Sequence, residues 1–389
     1  MQLTADQQRT LDGAEGPEMA RCMDTLVRYG KAFKAPRLVP IKSAHLTGSF
    51  RISSFSAYYE IVEQLVAAGI RVKVKTTLNP RPGYHFSPQN RFVLKGQRRH
   101  EDNLEALGVT PNYSCVSYLD VNRPAFGDVL GWAESSAVIY ANSVIGARSN
   151  RNSIMVDICQ AVTGLTPEFG LLLDENRGGK VRVKLNVDVM DAQALGFLLG
   201  RHCVDRSPVL DHYPFSVAEL KNMGAAMAAS GGVSLFHVIG LTPEAPTEEA
   251  AFLSAEPETT LTLTQQDLTD VRASKAVQSD SKIVAFGCPQ MTLDEARDIA
   301  RHFVGKKVKR RVLFHLMPSA LREFEQTELF TQLLQSGVEV HEHCPLAAMS
   351  VRIGIGKQQV LTNSGKLYYY LEGTEYGDLD EVLSVCGVL

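Results

Sequence analysis

Three of the seven cysteines stand where a short apolar segment of the sequence ends. Cys115 follows the run PNYS, Cys288 follows KIVAFG, and Cys344 follows VEVHEH. Proline comes directly after Cys288 and Cys344, and proline interrupts a strand because it has no N–H to donate. Since ligands of open α/β sheets gather at the carboxyl ends of strands, three thiols in these positions can converge on one site.

Three thiolates with an open fourth position suit an iron–sulfur cluster in which one iron binds substrate. The alternative is that these cysteines are ordinary buried apolar residues. The gaps between them, 173 and 56 residues, do not by themselves mark a metal site. Core packing is the better explanation for the remaining cysteines, which are Cys22, Cys159, Cys203 and Cys386.

A polar stripe runs through ESSAVIYANSVIGARSNR, residues 134–151. As a helix, this segment has an apolar face, while Ser136 stacks with Ser143 and Ser135 with Asn142 on other faces. Ser and Asn are poor interior helix residues, so their presence indicates a polar surface that binds something. The side chains that follow are Arg148, Asn150 and Arg151. Guanidinium groups suit a carboxylate; the alternative is that the arginines meet the last carbonyls of a helix.

Further polar clusters follow predicted strands. His45 lies in SAHLTGS, and Thr76 and Asn79 lie in KTTLNP. The segment TNSGK contains Asn363, Ser364 and Lys366 in a turn that can open a helix, where anions bind well. For each cluster taken alone, a capping or turn role competes with a chemical one.

The elements that must position these residues are those of an α/β protein. Short β-branched runs alternate with helical patterns, which predicts mostly parallel sheets flanked by helices. From residue 282 onward the order is strand, helix, strand, helix, strand, which indicates a compact doubly wound unit. We therefore predict an α/β region over 1–280 and a C-terminal α/β unit over 281–389. TTLTLT, 259–264, alternates as a strand, and Thr264 is placed to cap the next helix with Asp267.

Composition excludes several classes of protein. The chain has 389 residues, enough for two or three domains, with 44% hydrophobic and 21% charged residues. Its net charge of −3 argues against bulk binding of nucleic acid or of an anionic membrane surface. No secretory signal or spanning segment is evident, and the odd cysteine count argues against a disulfide framework, so we expect a cytoplasmic location. The G-x-G-x-x-G, P-loop, G-x-S-x-G, H-E-x-x-H and C-x-x-C motifs are absent from the sequence.

Together these segments resemble the large subunit of the aconitase X family. The matching segments span nearly the whole chain; they are LDGAEG (11–16), SAHLTGS (43–49), TTLNP (76–80), WAESSAVIYANSVIGARSNR (132–151), GLTPEFG (164–170), LDENR (173–177), HVIGLTPEA (237–245), GCP (287–289) and NSGK (363–366). The resemblance implies an aconitase-like multi-domain fold. It also implies a hydro-lyase that dehydrates β-hydroxy acids.

The resemblance further implies an iron–sulfur cluster held by Cys115, Cys288 and Cys344. Its form, 2Fe–2S, 3Fe–4S or 4Fe–4S, is left open by three cysteines. A small swivelling portion completes the site in this family and is thought to supply a serine base. We expect that portion on a separate chain, which makes this chain the large subunit of a heterodimer.

Under this resemblance, the substrate hydroxyl would be activated by an iron of the cluster acting as a Lewis acid. We expect the substrate carboxylate to be held by Arg148, Arg151 or Lys366, and the leaving hydroxyl to receive a proton from His45. Catalytic roles are assigned to His45, Ser143 and Lys366. Substrate-binding roles are assigned to Thr76, Asn79, Ser136, Asn142, Arg148, Asn150, Arg151, Asn363 and Ser364.

Two substrates compete under this resemblance. One is cis-3-hydroxy-L-proline, which would give Δ1-pyrroline-2-carboxylate, and the other is mevalonate 5-phosphate. The absence of a dedicated phosphate loop favours the hydroxyproline. Two departures from the family pattern bear on the substrate: Gln290 replaces the usual His, and LYYY occupies 367–370. A third possibility is a non-catalytic metal-binding or scaffold member of the family.

Overall fold

The computed structural model describes residues 1–51, 55–273, 283–350 and 359–389. Its strands are β1 Leu38–Pro40, β2 Ser43–Leu46, β3 Lys75–Leu78, β4 Leu130–Trp132, β5 Leu165–Pro167, β6 Val181–Asn186, β7 Pro208–Leu210, β8 His237–Val238, β9 Thr259–Thr264, β10 Ile283–Met291, β11 Arg311–Leu316, β12 Glu339–His341, β13 Val360–Thr362 and β14 Thr374–Tyr376.

The α-helices lie between most of these strands along the chain. They are α1 Ala5–Leu11, α2 Pro17–Ala32, α3 Ser56–Ala67, α4 Pro88–Val93, α5 Gln97–Ala106, α6 Ser135–Tyr140, α7 Ile154–Thr163, α8 Ala192–Cys203, α9 Val217–Gly231, α10 Glu248–Ala251, α11 Gln265–Ala273, α12 Leu293–Ala300, α13 Pro318–Phe324, α14 Glu328–Ser336, α15 Pro345–Ser350, α16 Gly365–Tyr370 and α17 Leu379–Cys386.

Three parallel sheets dominate the fold, as the sequence predicted. β2 lies at the centre of a three-stranded sheet of order β3-β2-β4, and a four-stranded sheet has the order β8-β7-β6-β9. Only the short pair β1 and β5 is antiparallel among the described strands. Parallel strands need covered faces, and the helices between them supply that cover.

The third sheet has five parallel strands in the order β12-β11-β10-β13-β14. This part of the chain therefore begins at the central strand, β10, and adds β11 and β12 on one side. It then crosses to the other side of β10, where it adds β13 and β14. This is the doubly wound unit that the sequence predicted, and its winding direction reverses between β10 and β13. A crevice opens at the carboxyl ends of the strands at such a switch point.

The largest core cluster joins the first and last parts of the chain. Trp132, Val138 and Tyr140 pack in one continuous cluster with Phe286 and Phe314 of the five-stranded sheet. Burial of this apolar surface is the main free energy that holds the first sheet against the last one. The carboxyl ends of two parallel sheets are thereby brought to the same place.

Several predicted elements differ in extent from those observed. The segment 134–151 is not one helix: α6 ends at Tyr140, a π-helical turn spans Ala141–Ile145, and Gly146 stops it in the left-handed region at φ 74°. Residues 318–336 form two helices, α13 and α14, because Thr327 caps the second one by accepting from Phe330 N at 3.2 Å. The strand and cap expected at 259–267 are both present.

The domain boundary expected near residue 280 falls within 274–282, outside the described residues, so the division into 1–280 and 281–389 stays a prediction. Within the described part of the chain, none of the helices has the length and apolar character needed to cross a bilayer.

Candidate functional site

A cavity of about 830 Å³ lies where the carboxyl ends of the first sheet meet those of the five-stranded sheet. Cys115, Cys288 and Cys344 all contribute to its wall, so the three cysteines singled out from the sequence share one site. Lys366 and Arg151 line the same cavity. The rest of the wall is largely apolar, from side chains such as Phe50, Phe55, Val93, Leu94, Ile154 and Leu346.

Cys288 is placed by an irregularity in β10. The pairing of β10 with β11 shifts register between Phe286 and Met291, which frees the residues between them from the ladder. Gly287 makes this possible, because its φ is +95° and a Cβ there would lie 2.2 Å from the His315 carbonyl oxygen. The chain turns at this glycine and presents Cys288 to the cavity at the switch point of the sheet.

Cys344 and Cys115 come from loops. Cys344 directly precedes α15, and its Sγ accepts a hydrogen bond from Ala347 N at 3.4 Å, as an N-cap does. Cys115 does not follow a regular strand, contrary to the expectation from the sequence. Its loop runs beside β3 instead, with Ser114 N donating to Leu78 O at 2.9 Å.

The three thiols are chemically suited to bind a soft metal centre. Burial raises the pKa of Cys115 to about 12 and also raises the pKa of Cys288 and Cys344, so without a metal all three stay protonated at neutral pH. A bound metal would displace these protons and stabilise the thiolates. Among the described residues no group of three His, Cys, Asp or Glu is arranged for a single ion. A cluster, whose irons are separate points of attachment, does not require so compact a set.

A buried ion pair crosses the cavity wall. Lys366 Nζ donates to Glu134 Oε1 at 2.5 Å and to Ser136 Oγ at 3.2 Å. Burial acts to raise the pKa of Glu134, but Lys366, Asn79 and Ser136 outweigh it and hold that pKa well below its usual range. Burial likewise opposes the charge of Lys366, and Glu134 outweighs it, which keeps the lysine pKa raised. Both groups are therefore ionised at neutral pH.

Asn79 links this pair to His45. Asn79 Nδ2 donates to Glu134 Oε2 at 2.6 Å, and its Oδ1 lies 2.9 Å from His45 Nε2. Because an ionised carboxylate only accepts, the amide oxygen must face the histidine, and Nε2 must carry the ring proton. Nδ1 is then the acceptor nitrogen, and the hydroxyls of Thr77 at 2.8 Å and Ser117 at 3.2 Å lie within hydrogen-bond distance of it.

His45 is fully buried and lies behind Asn79. Burial lowers its pKa to about 4, so the imidazole is neutral near pH 7. The structure places it one hydrogen bond away from the cavity, which it reaches only through Asn79. Ser136, also fully buried, contacts the ion pair directly.

Helix α16 carries Lys366 and is anchored by the residue that precedes it, Ser364. Ser364 Oγ caps the helix by accepting from Leu367 N at 3.1 Å, and the same hydroxyl donates to the Cys288 carbonyl. Capping of this kind satisfies an orphan backbone donor. Ser364 therefore ties the lysine to the cysteine across the switch point, although it does not itself line the cavity.

Other predicted site residues serve the framework. Arg148 donates to Leu172 O at 2.9 Å and forms an ion pair with Asp174. The side-chain amide of Asn150 donates to Phe169 O and accepts from Leu171 N. The Asn142 side chain bonds backbone groups of Ser149 and Ser234.

Three further predicted residues also lie outside the cavity. Ser143 Oγ accepts from Phe236 N at 2.8 Å, and Thr76 Oγ1 donates to Val74 O at 2.9 Å. Asn363 lines a neighbouring cavity of about 470 Å³ on the far side of Cys288. The structure thus does not bring these side chains, or those of Arg148, Asn150 and Asn142, into the cavity of the three cysteines. Within the polar stripe, four side chains form hydrogen bonds with backbone groups instead of facing the cavity; they are those of Asn142, Ser143, Arg148 and Asn150.

Glu134 is a site residue that the sequence interpretation missed. A signal was present, since Glu134 is the only charged residue between Asp128 and Arg148 in an otherwise apolar and small-residue segment. A lone carboxylate in such a segment is buried only when it has a partner. That partner, Lys366, lies 232 residues away, and the sequence alone offers no means to pair them.

Comparisons with known proteins agree with the fold. Family models match in order along the chain: aconitase X first domain over residues 1–175, second domain over 179–273 and third domain over 281–385. The crystal structure of Thermococcus kodakaraensis aconitase X in its holo-form superposes with a TM-score of 0.88 at 29% identity, covering 98% of this chain and 99% of that one.

Curated relatives fall into two named groups. The phosphomevalonate dehydratase large subunit of Thermococcus kodakarensis is 33% identical and covers 98% of each chain. The cis-3-hydroxy-L-proline dehydratase of Pseudomonas aeruginosa is 30% identical over 95% of this chain and 66% of its own length. Both are named as dehydratases, in agreement with the hydro-lyase activity predicted from the sequence. With family models over nearly all of its length and full-length relatives above 30% identity, the chain belongs to the aconitase X family.

Proposed function

We propose that this chain is the large subunit of an iron–sulfur-dependent dehydratase that removes water from a β-hydroxy carboxylic acid. The observation that carries the proposal is the convergence of Cys115, Cys288 and Cys344 on one cavity that also contains Lys366 and Arg151. Thiolate ligands for a cluster and cations for a carboxylate are two of the requirements of such a reaction, and this cavity contains residues suited to both. No other described cavity contains all three cysteines.

When bound by the three cysteines, the cluster would supply Lewis-acid activation of the hydroxyl that leaves. The chain's own residues bind and orient the substrate. Arg151 is exposed and lines the cavity. One of its N–H groups donates to Ala228 O at 3.2 Å, so further N–H groups remain for a carboxylate. Lys366 offers a second, permanently charged donor deeper in the wall.

Glu134 and Asn79 act as positioning residues in this proposal. Glu134 keeps Lys366 ionised and fixes the Asn79 amide, which in turn fixes the ring proton of His45 on Nε2. Preorganised donors of this kind stabilise developing charge without having to reorient during the reaction. Removal of the α proton needs a base. We assign it to a partner chain, because Glu134 is already paired and His45 lies behind Asn79.

The charge of the cavity favours cis-3-hydroxy-L-proline as the substrate. Among the described lining side chains, Arg151 and Lys366 are positive and Glu134 is negative, a net charge of one positive. The carboxylate of this amino acid can pair with one of these cations, and its ring ammonium makes the molecule neutral overall. A phosphate and a carboxylate together carry about three negative charges, which exceed the positive charge of the cavity. Loss of the C2 proton and the C3 hydroxyl releases water and leaves an enamine, which tautomerises to Δ1-pyrroline-2-carboxylate.

Mevalonate 5-phosphate is the second candidate, and the comparisons favour it. The phosphomevalonate dehydratase large subunit of Thermococcus kodakarensis is 33% identical, and the cis-3-hydroxy-L-proline dehydratase of Pseudomonas aeruginosa is 30% identical. The name "large subunit" also supports a small-subunit partner for this chain. A partner that contributes cations to the cavity would remove the charge argument against a phosphate.

The test is anaerobic co-expression with the small-subunit candidate, followed by iron and sulfide analysis and a dehydration assay on both substrates. We expect iron, sulfide and turnover of cis-3-hydroxy-L-proline. Turnover of mevalonate 5-phosphate alone would replace the substrate assignment. A folded anaerobic complex without iron and sulfide would contradict the cluster, and the scaffold interpretation would then take its place.

A further inference from the structure

Gln290 is a buried side chain that contacts all three cysteine segments. It lies two residues after Cys288, near the end of β10, and is only 1% exposed. The backbone of Gln290 is held by a second contact, because Lys221 Nζ donates to Gln290 O at 3.0 Å. Lys221 is itself buried and paired with Glu295 at 2.8 Å. The backbone position of Gln290 is therefore fixed, and its carboxamide extends from this position toward the cysteine segments.

The oxygen end of this carboxamide holds the first cysteine. Gln290 Oε1 accepts from Cys115 N at 3.2 Å, and the Cys115 thiol lies 3.8 Å from the same oxygen. The backbone N–H of Gln290 donates to Cys115 Sγ at 3.4 Å. Gln290 thus contacts both the backbone and the sulfur of Cys115.

The nitrogen end of the carboxamide holds the segment of the third cysteine. Gln290 Nε2 donates to Glu342 O at 2.8 Å, two residues before Cys344, and to Tyr113 O at 3.4 Å, two residues before Cys115. One amide therefore joins the segments 113–115, 288–290 and 342–344. These segments belong to no common helix or strand pairing, so their relative positions depend on such side-chain contacts.

We propose that Gln290 is the positioning residue that fixes the relative placement of Cys115, Cys288 and Cys344, and that it thereby controls how tightly their metal cluster is retained. The inference rests on the proposed function, since it takes the cysteines as cluster ligands. The chemistry requires a side chain that both donates and accepts. A carboxylate would accept from Cys115 N but would repel the Glu342 and Tyr113 carbonyls, and a methyl group would leave all of these groups unpaired.

The first test follows iron loss from the anaerobically purified two-chain holoenzyme after a ferrous chelator is added. Groups that orient metal ligands typically contribute ten- to a hundredfold to metal affinity. We expect Gln290→Ala to lose iron at least about tenfold faster than the wild type. Gln290→His, which keeps one donor and one acceptor, should restore most of the retention. A matched control is Gln160→Ala, because Gln160 is a buried glutamine whose amide donates to Thr166 Oγ1 at 2.7 Å and, among the described residues, forms no hydrogen bond with the three segments.

A second readout does not depend on the cluster. Modification by N-ethylmaleimide, mapped by mass spectrometry of peptides, reports each cysteine separately. Gln290→Glu has the size of glutamine but loses the bonds to Glu342 O and Tyr113 O, so it should increase the reactivity of Cys344 more than that of Cys115. Gln290→Ala should increase both.

The inference is overturned if Gln290→Ala, folded as judged by circular dichroism, loses iron at the wild-type rate and leaves both thiol reactivities unchanged. Should Gln290→Ala fail to fold, the isosteric Gln290→Glu decides by the same thiol mapping. A wild-type complex without iron or sulfide would instead contradict the proposed function, and the thiol mapping would still determine whether Gln290 positions the cysteines.

Discussion

At the scale of single residues, the cavity is organised by the buried pair of Glu134 and Lys366. Their side chains are 12% and 9% exposed, and the carboxylate also accepts from Asn79 and Ser136. Breaking a buried pair by removing one charge leaves the other uncompensated, and this costs far more than the loss of a surface pair. The effect of a substitution here should therefore appear in turnover and not only in stability.

Glu134→Gln should reduce kcat on the order of a hundredfold, because it removes the counterion of Lys366 and allows the Asn79 amide to flip. Steady-state kinetics of the two-chain enzyme measures this. Glu168→Gln is the control, since Glu168 pairs with the exposed Arg37 and should leave kcat within about twofold of the wild type. Equal losses in the two variants would show that Glu134 acts only through stability.

Arg151 and Arg148 form a natural comparison, because the two arginines are three positions apart and only Arg151 lines the cavity. Arg151→Ala should raise KM for the acid substrate by about ten- to a hundredfold, since a guanidinium–carboxylate interaction is lost. Arg148→Ala should lower the thermal unfolding midpoint and leave KM nearly unchanged. The assignment of Arg151 to the carboxylate fails if the two variants change KM equally.

At the scale of elements, helices α8 and α9 pack with their backbones nearly in contact. A Cβ at Gly196 would lie 2.2 Å from Met223 O, and a Cβ at Gly200 would lie 2.0 Å from Ser230 Oγ and 2.7 Å from Met227 O. This pair supports α16, because Gly365 N donates to the Gln193 side chain at 3.1 Å. The position of Lys366 thus depends on glycines in a different part of the chain.

Gly196→Ala should destabilise the protein by about 2 kcal/mol or more, because the new methyl group meets backbone that cannot move aside independently. The thermal unfolding midpoint should fall by several degrees, and kcat should fall as well, as α16 shifts. Gly224→Ala is a milder change, since its Cβ would meet side-chain carbons of Ile139 and Phe236 at 3.3 Å. If Gly196→Ala proved as stable as Gly224→Ala, the close packing of α8 and α9 would be refuted.

At the scale of the whole molecule, the site exists because two parallel sheets present their carboxyl ends to each other. The first sheet supplies Asn79 and Glu134 after β3 and β4, and the five-stranded sheet supplies Cys288 and Lys366 at its switch point. The shared core of Trp132 and Phe286 holds the two sheets together. Burying polar groups at this junction makes the stability of the molecule depend on pH.

The chain should lose stability as the pH falls from about 6.5 to about 4. The pKa of His45 is about 4 in the folded protein and near 6.5 when unfolded, so the unfolded state binds the additional proton in this window. The stabilisation is complete above about pH 6.5 and diminishes as the pH drops toward 4. Urea unfolding midpoints at about pH 7 and pH 5 measure it, and His45→Asn should reduce the difference between them. The same pH dependence in this variant would contradict the role of His45.

The sequence by itself determined the fold class, the family and the cysteines that share the cavity. Each of these depends on local information: hydrophobic periodicity, residues that interrupt strands, and contiguous motifs. The helix expected over 134–151 was wrong in its second half, because Asn142 and Ser143 bond backbone of distant segments that no local pattern reveals.

Only the tertiary structure decided which polar residues face the cavity. Arg148 and Arg151 belong to the same motif, yet one braces Leu172 and the other lines the site. Glu134 and Lys366 are 232 residues apart, and Gln290 joins three segments that are separate in sequence. The sequence shows which residues could act as ligands. Their burial and their hydrogen-bond partners are set only when the sheets pack against each other, because these are properties of the folded chain.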